Sequence, residues 1–245
     1  MLKKIINILL AALLLVYLVF SVAFINPKVD LDKECSNVQI KIMETTGASY
    51  LSVPQVETML GKADIQLKGQ KMSEIHAAAI EKTLEENKLI KNAEVYKTID
   101  GTVMMRIYQR TPILRVISEK GNYYVDTEGQ IMPIPPNYAA YVPLATGAIS
   151  NEYAMKQLYD FADFLRKNKS WNEQIAQIHV LPNLDVELTP RKGTHTIVLG
   201  KIENYRENLD KLALFYEKGL DRVGWNRYSR INLKYKNQVV CTKRE

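Results

Sequence analysis

The sequence is poor in the residues that build covalent staples and metal centres, with two cysteines and three histidines among 245 residues. Cys35 and Cys241 lie far apart without a Cys-x-x-Cys pairing, so we expect free thiols rather than a disulfide framework. His76 is interpreted as a partly exposed helix position. His179 and His195 are interpreted as surface or packing residues on strands, with a metal pair of these two as the open alternative.

Catalytic motifs are also absent from the sequence. It contains no nucleophile elbow, Ser-x-x-Lys, His-Glu-x-x-His, phosphate loop or dinucleotide glycine pattern, each of which needs particular residues at set spacing. Asp126 and Glu128 fit a turn better than a glycosidase pair, which requires two carboxylates facing each other across a substrate. We therefore predict a protein that is not an enzyme and that holds no cofactor and no metal ion.

The positive charge of the chain is not concentrated in one stretch. The formal net charge is +6, and because it is spread along the sequence no nucleic-acid partner is expected. The composition, with 47% hydrophobic and 24% charged residues, is typical of a folded protein with a sizeable core. The length allows one large domain or two of modest size.

One long uncharged apolar run is present, from Ile5 to Ile25. It is long enough to cross a hydrocarbon core of roughly 30 Å as a helix. Lys3 and Lys4 precede it, so the positive-inside rule predicts a cytoplasmic tail over residues 1–4, a transmembrane helix over residues 5–25 and an extracytoplasmic remainder. A cleaved signal peptide is the alternative, because Ser21-Val22-Ala23 is similar to a cleavage site, but the run exceeds the ~7–15 residues of a signal-peptide core.

The exported part begins with a tether and continues with the order strand, helix, helix, strand, strand. Residues 26–34 lack periodicity and are predicted to be the tether. The strands and helices are assigned from the period-two and helical spacing of apolar residues. A capping box marks the start of one helix, and an Asp-Gly turn marks the hairpin. The predicted elements are a strand at Val38–Ile42, a helix capped by Ser52 and Gln55, a helix at Met72–Asn87 that includes His76, and a hairpin of Ala93–Ile99 and Thr102–Gln109 around Asp100-Gly101.

The second half of the chain follows without a glycine- or serine-rich linker and has more strands. Helical spacing predicts two helices, and alternation of apolar and polar residues predicts the strands. The helices are predicted at Tyr153–Lys167 and at Ile202–Lys218, ended by Gly219. The strands are predicted near Ile113–Val116, Tyr123–Asp126, Ile175–Leu181, Asp185–Thr189 and Thr194–Leu199, with a last sheet segment at Ser229–Cys241.

This order of elements after one apolar helix resembles the FtsQ/DivIB family of bacterial cell-division proteins. The words that carry the resemblance are GASYLSVPQVETML, LIKNAEVYKTIDGTVMMRIYQRTPI, YYVDTEGQIMPI and TIVLGKIENYRENLDKLALFYE. The resemblance implies an α+β protein with a βααββ POTRA domain over residues 35–110 and an FtsQ-type β-domain, mixed α/β with a largely antiparallel sheet, over residues 111–245. Gln109 departs from the glutamate that the family often has there, and the cytoplasmic tail is unusually short.

The resemblance also implies a role and a location. The protein would be a non-enzymatic divisome scaffold in the bacterial inner membrane, single-pass, with a cytoplasmic N-terminus and a periplasmic bulk, enriched at the division septum. Its implied partners are FtsB-like and FtsL-like division proteins, with other divisome membrane proteins as further partners of the transmembrane helix and the POTRA domain. Alternatives are a POTRA-bearing module in envelope or secretion assembly and a wall-active hydrolase.

The C-terminal segment is the candidate docking site. It alternates apolar and polar residues nearly to its end, as an edge strand does, and Asn232-Leu233-Lys234-Tyr235 is similar to the terminal Asp-Leu-Arg-Tyr word of the family. We expect Asn237 to adopt the left-handed conformation of a tight turn. The predicted partner-binding residues are Leu233, Lys234, Tyr235, Asn237, Gln238, Val239 and Val240. The alternative is that Leu233, Tyr235 and Val240 only complete the core.

Overall fold

The computed structural model describes residues 2–25, 33–43, 50–136 and 138–245. Residues 26–32 of the predicted tether lie outside this part of the chain. Contacts divide the protein into two compact units. Of the described residues, 2–25, 33–43, 52–86 and 92–107 belong to the first unit, and 50–51, 87–91 and those from 108 onward belong to the second.

The chain begins with a helix, α1, at Leu2–Ile25. It coincides with the long apolar run of the sequence. Within the part of the chain that the structure describes, no helix is both long and apolar enough to cross a membrane. The transmembrane anchor therefore stays a prediction.

The first unit has the order strand, helix, helix, strand, strand that the sequence predicts. Its three strands form one sheet in the order β1-β3-β2. The largest fully buried side chains of this unit include Met72, Leu84, Met105 and Ile107. The elements are β1 (Asn37–Met43), α2 (Val53–Lys62), α3 (Ala77–Glu85), β2 (Ile90–Lys97) and β3 (Thr102–Gln109).

Local signals fix two boundaries of the first unit as predicted. The Ser52 N–H donates to Gln55 Oε1 at 2.8 Å, half of the capping box that begins α2. Between β2 and β3, Gly101 has a φ of 89°, which a non-glycine residue rarely adopts. The Thr98 N–H donates to the Thr102 carbonyl at 2.9 Å and closes the hairpin.

The second predicted helix is shorter than its periodicity indicates. It was expected from Met72 but begins at Ala77, and His76 lies in extended conformation just before it rather than within it. Lys71 pairs with Glu34 in an isolated antiparallel bridge and the Met72 N–H donates to the Lys33 carbonyl at 2.9 Å, so the chain is held against residues 33–34 here and continues into a turn at 72–74. Met72 and Ile75 are buried all the same. Burial at helical spacing therefore does not prove a helix.

The second unit is built on one sheet of nine strands in the order β12-β11-β10-β9-β8-β7-β4-β5-β6. The pairs β4–β7, β7–β8 and β10–β11 are parallel, and the other five pairs are antiparallel, so the sheet is mixed and mostly antiparallel as predicted. The strands are β4 (Pro112–Ser118), β5 (Gly121–Asp126), β6 (Ile131–Met132), β7 (Leu144–Gly147), β8 (Ile175–Val180), β9 (Asp185–Pro190), β10 (Thr196–Lys201), β11 (Tyr228–Asn232) and β12 (Val240–Lys243).

Two helical stretches supply much of the second unit's core. Their buried apolar faces include Leu158, Phe161, Leu165, Leu209 and Leu212, as the helical spacing predicts. The first stretch is α4 (Asn151–Tyr153), a π-turn at Ala154–Leu158, α5 (Tyr159–Lys167) and α6 (Lys169–Gln174). The second is a 3-10 turn at Ile202–Asn204, α7 (Tyr205–Phe215), a π-turn at Tyr216–Leu220 and α8 (Asp221–Val223).

Gly219 does not end the second helical stretch, contrary to the prediction. It lies inside the π-turn, and a Cβ there would lie 2.9 Å from the Phe215 ring. The helix continues to Val223 and ends at Gly224, whose φ is 93°. A glycine within a helix can therefore make room for a neighbouring side chain rather than stop the helix.

A buried ion pair fixes the start of β4. Arg110 Nη1 donates to Asp126 Oδ2 at 2.7 Å, and the side chain of Asp126 is 1% exposed. The other carboxylate oxygen of Asp126 accepts from the N–H groups of Glu128 and Gln130 at 2.9 and 2.8 Å. The side chain of Gln109 is used nearby, since its Oε1 accepts from the N–H groups of Tyr50 and Leu51 at 3.1 and 3.0 Å. An amide oxygen therefore holds this backbone where the family often has a carboxylate.

His195 is a buried titratable group in the second unit. It is 2% exposed, and its Nε2 lies 2.8 Å from the hydroxyl of Tyr216. Its Nδ1 has no hydrogen-bond partner among the described residues. Burial lowers the pKa of His195, and the positive charge of Arg244 lowers it further.

The lowered pKa of His195 predicts a pH dependence of stability. Below the ordinary histidine pKa of about 6.5 the unfolded chain binds more protons than the folded chain, so the free energy of unfolding should fall as the pH drops from about 7.5 to about 5. Above that ordinary pKa the histidine is neutral in both the folded and the unfolded chain, so the folded state keeps its full stability there. His195→Gln should flatten this part of the curve, measured by urea unfolding at several pH values. His76→Gln, at an exposed site, is the matched control; an unchanged slope in His195→Gln would contradict the prediction.

Candidate partner-binding edge

The C-terminal strand β12 lies at one end of the nine-stranded sheet. It pairs antiparallel with β11, with Ile231 opposite Cys241 and Asn232 opposite Val240. In the described part of the chain, β11 is its one neighbouring strand, because β11 pairs with β10 on its other side. Of the predicted sheet edge at Ser229–Cys241, only Val240 and Cys241 lie on the edge strand, because the first part of that segment belongs to the inner strand β11 and to the loop after it.

The alternation of strand backbones decides which groups of β12 face outward. The Leu233 N–H donates to the Val198 carbonyl at 2.9 Å. Backbone N–H and C=O groups alternate in direction along a strand, so those of Leu233 point toward β10 and those of Asn232 point toward β12. Val240, opposite Asn232, then points back to β11. The next residue, Cys241, directs its backbone N–H and C=O away from the sheet. No described side chain accepts a hydrogen bond from a β12 N–H, so this edge can accept another strand.

The loop between β11 and β12 spans the seven residues 233–239, and the tight turn that the sequence predicts lies within it at residues 236–237, with the Gln238 N–H 3.5 Å from the Tyr235 carbonyl. Leu233 is fully buried and belongs to the core of the second unit. Lys211 on α7 donates to the carbonyls of Leu233 and Tyr235 at 2.8 and 3.0 Å. These contacts hold the first half of the loop against the helix, ahead of the turn.

Lys234 is tied into the protein. Its Nζ donates to Asp185 Oδ2 at 2.7 Å, and Lys201 Nζ lies 3.4 Å from the other oxygen of that carboxylate. The hydrogen bond from Lys234, with a further one from Lys201, lowers the pKa of Asp185, and the same bond raises the pKa of Lys234. The stem of Lys234 lies over Gly200, where a Cβ would come within 2.8 Å of it. Lys234 therefore positions the loop.

The rest of the predicted set forms the exposed surface of the loop. Tyr235 is 52% exposed and Val240 46% exposed. Asn237 has a φ of 57°, the left-handed conformation expected of it, and Gln238 beside it is exposed. Val239 packs partly against the core. The structure thus brings six of the seven predicted residues to one loop surface and its adjoining strand, with Leu233 beneath them.

An open groove runs beside this loop. It has a volume of about 780 Å³ and lies between α7, the following π-turn and the second half of the loop. Leu214 and Phe215 supply its apolar wall, and Leu214 is 52% exposed. Charged groups at its rim are Glu207, Asp210, Lys211 and Lys218. The loop therefore has an apolar recess on its helix side and the open strand at its end.

The other candidates from the sequence serve structural roles. Asp126 binds Arg110 and caps its own turn, and His179 Nδ1 lies 3.0 Å from the hydroxyl of Thr146 on the neighbouring strand. In residues 2–25, 33–43, 50–136 and 138–245 no group of three His, Cys, Asp or Glu side chains is placed to hold a metal ion. Cys35 and Cys241 are both free thiols.

Sequence reasoning missed the residues that hold the edge in place. Asp185, Gly200 and Lys211 lie 22–49 positions before the residues of the loop that they contact. Gly200 carries a weak local signal, since a glycine within a strand pattern marks a bulge or a close approach of another chain segment. The other two carry none, because a single charged residue on a strand or helix does not reveal its distant partner.

A small βααββ unit followed by a large, mostly antiparallel mixed sheet defines a POTRA-bearing α+β protein. Comparison with known proteins agrees with this class. Residues 33–108 match the POTRA-like domain family, and residues 111–242 match the family described as FtsQ/DivIB, C-terminal related. The chain belongs to this FtsQ/DivIB family of cell-division proteins.

The chain is similar to a cell-division protein and to a solved extracytoplasmic domain. The cell division protein FtsQ of Geotalea daltonii is 22% identical over 208 residues, which cover 79% of this chain and 74% of that protein. The structure of the major extracytoplasmic domain of DivIB from Geobacillus stearothermophilus, in its trans isomer, has 15% sequence identity and a TM-score of 0.34. That match covers 46% of this chain and 96% of the DivIB chain.

Proposed function

We propose that this protein is a non-enzymatic divisome scaffold that recruits and holds FtsB-like and FtsL-like partners at the septum, partly by strand addition at β12. The observation that carries the proposal is the outward-facing backbone of Cys241 on the edge strand β12, whose N–H meets no acceptor among the described residues. An extended segment of the partner supplies the missing acceptor and donor, and its side chains at alternate positions provide specificity.

The loop of residues 233–239 contributes side-chain recognition beside the added strand. Tyr235 is the aromatic anchor, because it is half exposed while its backbone carbonyl is held by Lys211. Because the loop is already held in place, it loses little conformational entropy on binding, which favours affinity. The groove along Leu214 and Phe215 accepts apolar side chains of the partner that precede or follow its strand. Lys234 supports this surface through Asp185 rather than by reaching for the partner.

Tyr235→Ala should weaken the binding of an FtsB-like partner by about 2 kcal/mol or more, roughly thirtyfold in Kd, because it removes a central aromatic anchor. Lys234→Ala should weaken binding less, since that side chain is occupied by Asp185. Isothermal titration of the full-length chain in a neutral detergent measures both. Tyr141→Ala is the matched control, since Tyr141 is an 83% exposed aromatic residue that the proposal does not use. Equal losses for Tyr235→Ala and Tyr141→Ala would refute the anchor.

The proposal includes a location and a domain arrangement. Residues 5–25 anchor the chain in the inner membrane, residues 26–34 form the tether, and the POTRA domain at 35–110 and β-domain at 111–245 are periplasmic. Other divisome membrane proteins contact the transmembrane helix and the POTRA domain. In this proposal the extracytoplasmic part binds partners and catalyses no reaction.

A reporter enzyme fused after Glu34 should be active only if it is of a kind that works outside the cytoplasm. The mature chain should keep the mass of residues 1–245. Both results follow from the uninterrupted apolar run behind Lys3 and Lys4. Depletion should give filaments with segregated nucleoids, because septation fails while replication continues. A mature chain cleaved after Ala23 would contradict the anchor, and depleted cells of normal length would contradict the divisome role.

A further inference from the structure

The three-stranded sheet has an outer strand, β2, whose outward backbone groups are identifiable. The Thr98 N–H faces β3, where it bonds the Thr102 carbonyl. Because strand residues alternate in direction, Ala93 and Val95 then point their N–H groups away from β3 and toward the edge. In the described part of the chain β3 is the one strand beside β2. Such N–H groups are the donors that another strand would use.

Two of the outward N–H groups of β2, at the middle of the strand, are already bonded to carboxylates. Glu81 Oε1 accepts from the Val95 N–H at 2.7 Å, and Glu85 Oε1 accepts from the Ala93 N–H at 3.0 Å. The two glutamates lie four residues apart on α3, about 6 Å along a helix axis, which is close to the roughly 6.8 Å between alternate residues of a strand. This match lets one helix face serve two successive edge positions.

The edge at β12 lacks this feature. No described side chain accepts a hydrogen bond from a β12 N–H, whereas β2 has two charged acceptors supplied by one helix. Hydrogen bonds to a carboxylate are stronger than those between neutral groups, so an incoming strand would have to displace them and rehydrate two carboxylates. The two edges therefore differ sharply in their capacity to accept a strand.

We propose that Glu81 and Glu85 form an edge guard that prevents β2 of a second copy of this chain from pairing along β2. The second copy is the relevant partner because it presents the same extended backbone at the same edge, and a two-fold pairing of identical edges is self-complementary. Anchored neighbours would otherwise meet through this edge. The proposal that Glu81 and Glu85 prevent self-pairing does not depend on partner docking at β12. The further statement that strand addition is confined to β12 rests on the proposed function.

Removing both acceptors with Glu81→Ala/Glu85→Ala should make the full-length chain self-associate. We expect the apparent dissociation constant to tighten by at least about tenfold, measured by sedimentation velocity over a concentration series in a neutral detergent. Glu81→Gln/Glu85→Gln is the matched control, because its amide oxygens still accept from the same N–H groups, and it should sediment as the native chain does. Hydrogen exchange at Ala93 and Val95 should accelerate in the alanine variant alone.

A rescue variant separates edge pairing from other causes of association. Adding Ala93→Pro to the alanine variant deletes an edge donor and should return the chain to native sedimentation. If the double alanine variant does not fold, Glu81→Ala and Glu85→Ala singly, each of which leaves one acceptor, carry the same test. The guard is overturned if a folded alanine variant shows accelerated hydrogen exchange at Ala93 and Val95 but sediments as the native chain does. It is also overturned if the alanine variant associates and Ala93→Pro fails to reverse that association. Partner binding is measured separately, so failure of the docking role is recognised by its own result.

Discussion

Cys241→Pro is expected to weaken the capture of an FtsB-like partner by about tenfold to a hundredfold, while Cys241→Ala leaves it nearly unchanged. Proline removes the outward N–H of β12 and one ladder bond, a loss of about 1–3 kcal/mol. It should leave the bonds to β11 intact, because those come from Val240 and Thr242, opposite Asn232 and Arg230. Alanine removes the same thiol and keeps the N–H.

The comparison of the two Cys241 variants separates docking from folding. Cys241 packs partly against the core, so both variants lose that contact equally. Circular dichroism and the urea midpoint should report the same stability for both within about 1 kcal/mol. Affinity is measured by titration with the FtsB-like protein. If both variants bind like the native chain, the outward backbone of β12 is not used, and if both lose binding equally, the thiol side chain matters instead.

Asp126→Ala should give the largest loss of stability, about 3–5 kcal/mol in the free energy of unfolding. The substitution leaves the Arg110 guanidinium, whose side chain is 17% exposed, without its closest carboxylate and frees two turn N–H groups. For a chain of this size the melting temperature should fall by about 10 °C. Differential scanning calorimetry of the full-length chain measures the change.

The control for Asp126 is Glu152, an exposed carboxylate that pairs with Lys156 one helical turn away. Glu152→Ala should leave the melting temperature almost unchanged, because exposed pairs contribute little. A fall in Asp126→Ala no larger than in Glu152→Ala would show that the buried pair does not stabilise the second unit. Asp126→Asn should lie between the two, since its side-chain oxygen still accepts from the turn while the charge pair with Arg110 is lost.

Local pattern predicted the elements whose signals are local. The strand at Thr102–Gln109, the Asp100-Gly101 turn and the buried face of Leu158, Phe161 and Leu165 all follow from neighbours within a few residues. The start of α3 did not, because residues 71–72 pair with Lys33 and Glu34, almost 40 positions earlier, and the helix begins only after this pairing and a turn. Short-range periodicity does not contain this kind of competition.

Sheet order and the support of the candidate site were also beyond the sequence. The parallel pairing of β10 with β11 places Val198 beside Leu233, and this pairing sets which residues of β12 face outward. The four-residue strand β7 was missed because Leu144–Gly147 is too short to show a period. The predicted site residues lie close together because the family word falls in the loop itself, whereas Asp185 and Lys211 become neighbours of that loop only through the fold.

Hydrogen–deuterium exchange of the full-length chain, alone and with its FtsB-like partner, tests strand addition at β12 most directly. Strand addition bonds the outward N–H of Cys241, so exchange in residues 240–243 should slow by at least about tenfold in the complex, with weaker slowing around Leu214 and Tyr235. The β2 amides of Ala93 and Val95 should be unaffected. A complex that forms with native affinity while exchange in residues 240–243 stays as in the free chain would contradict the account.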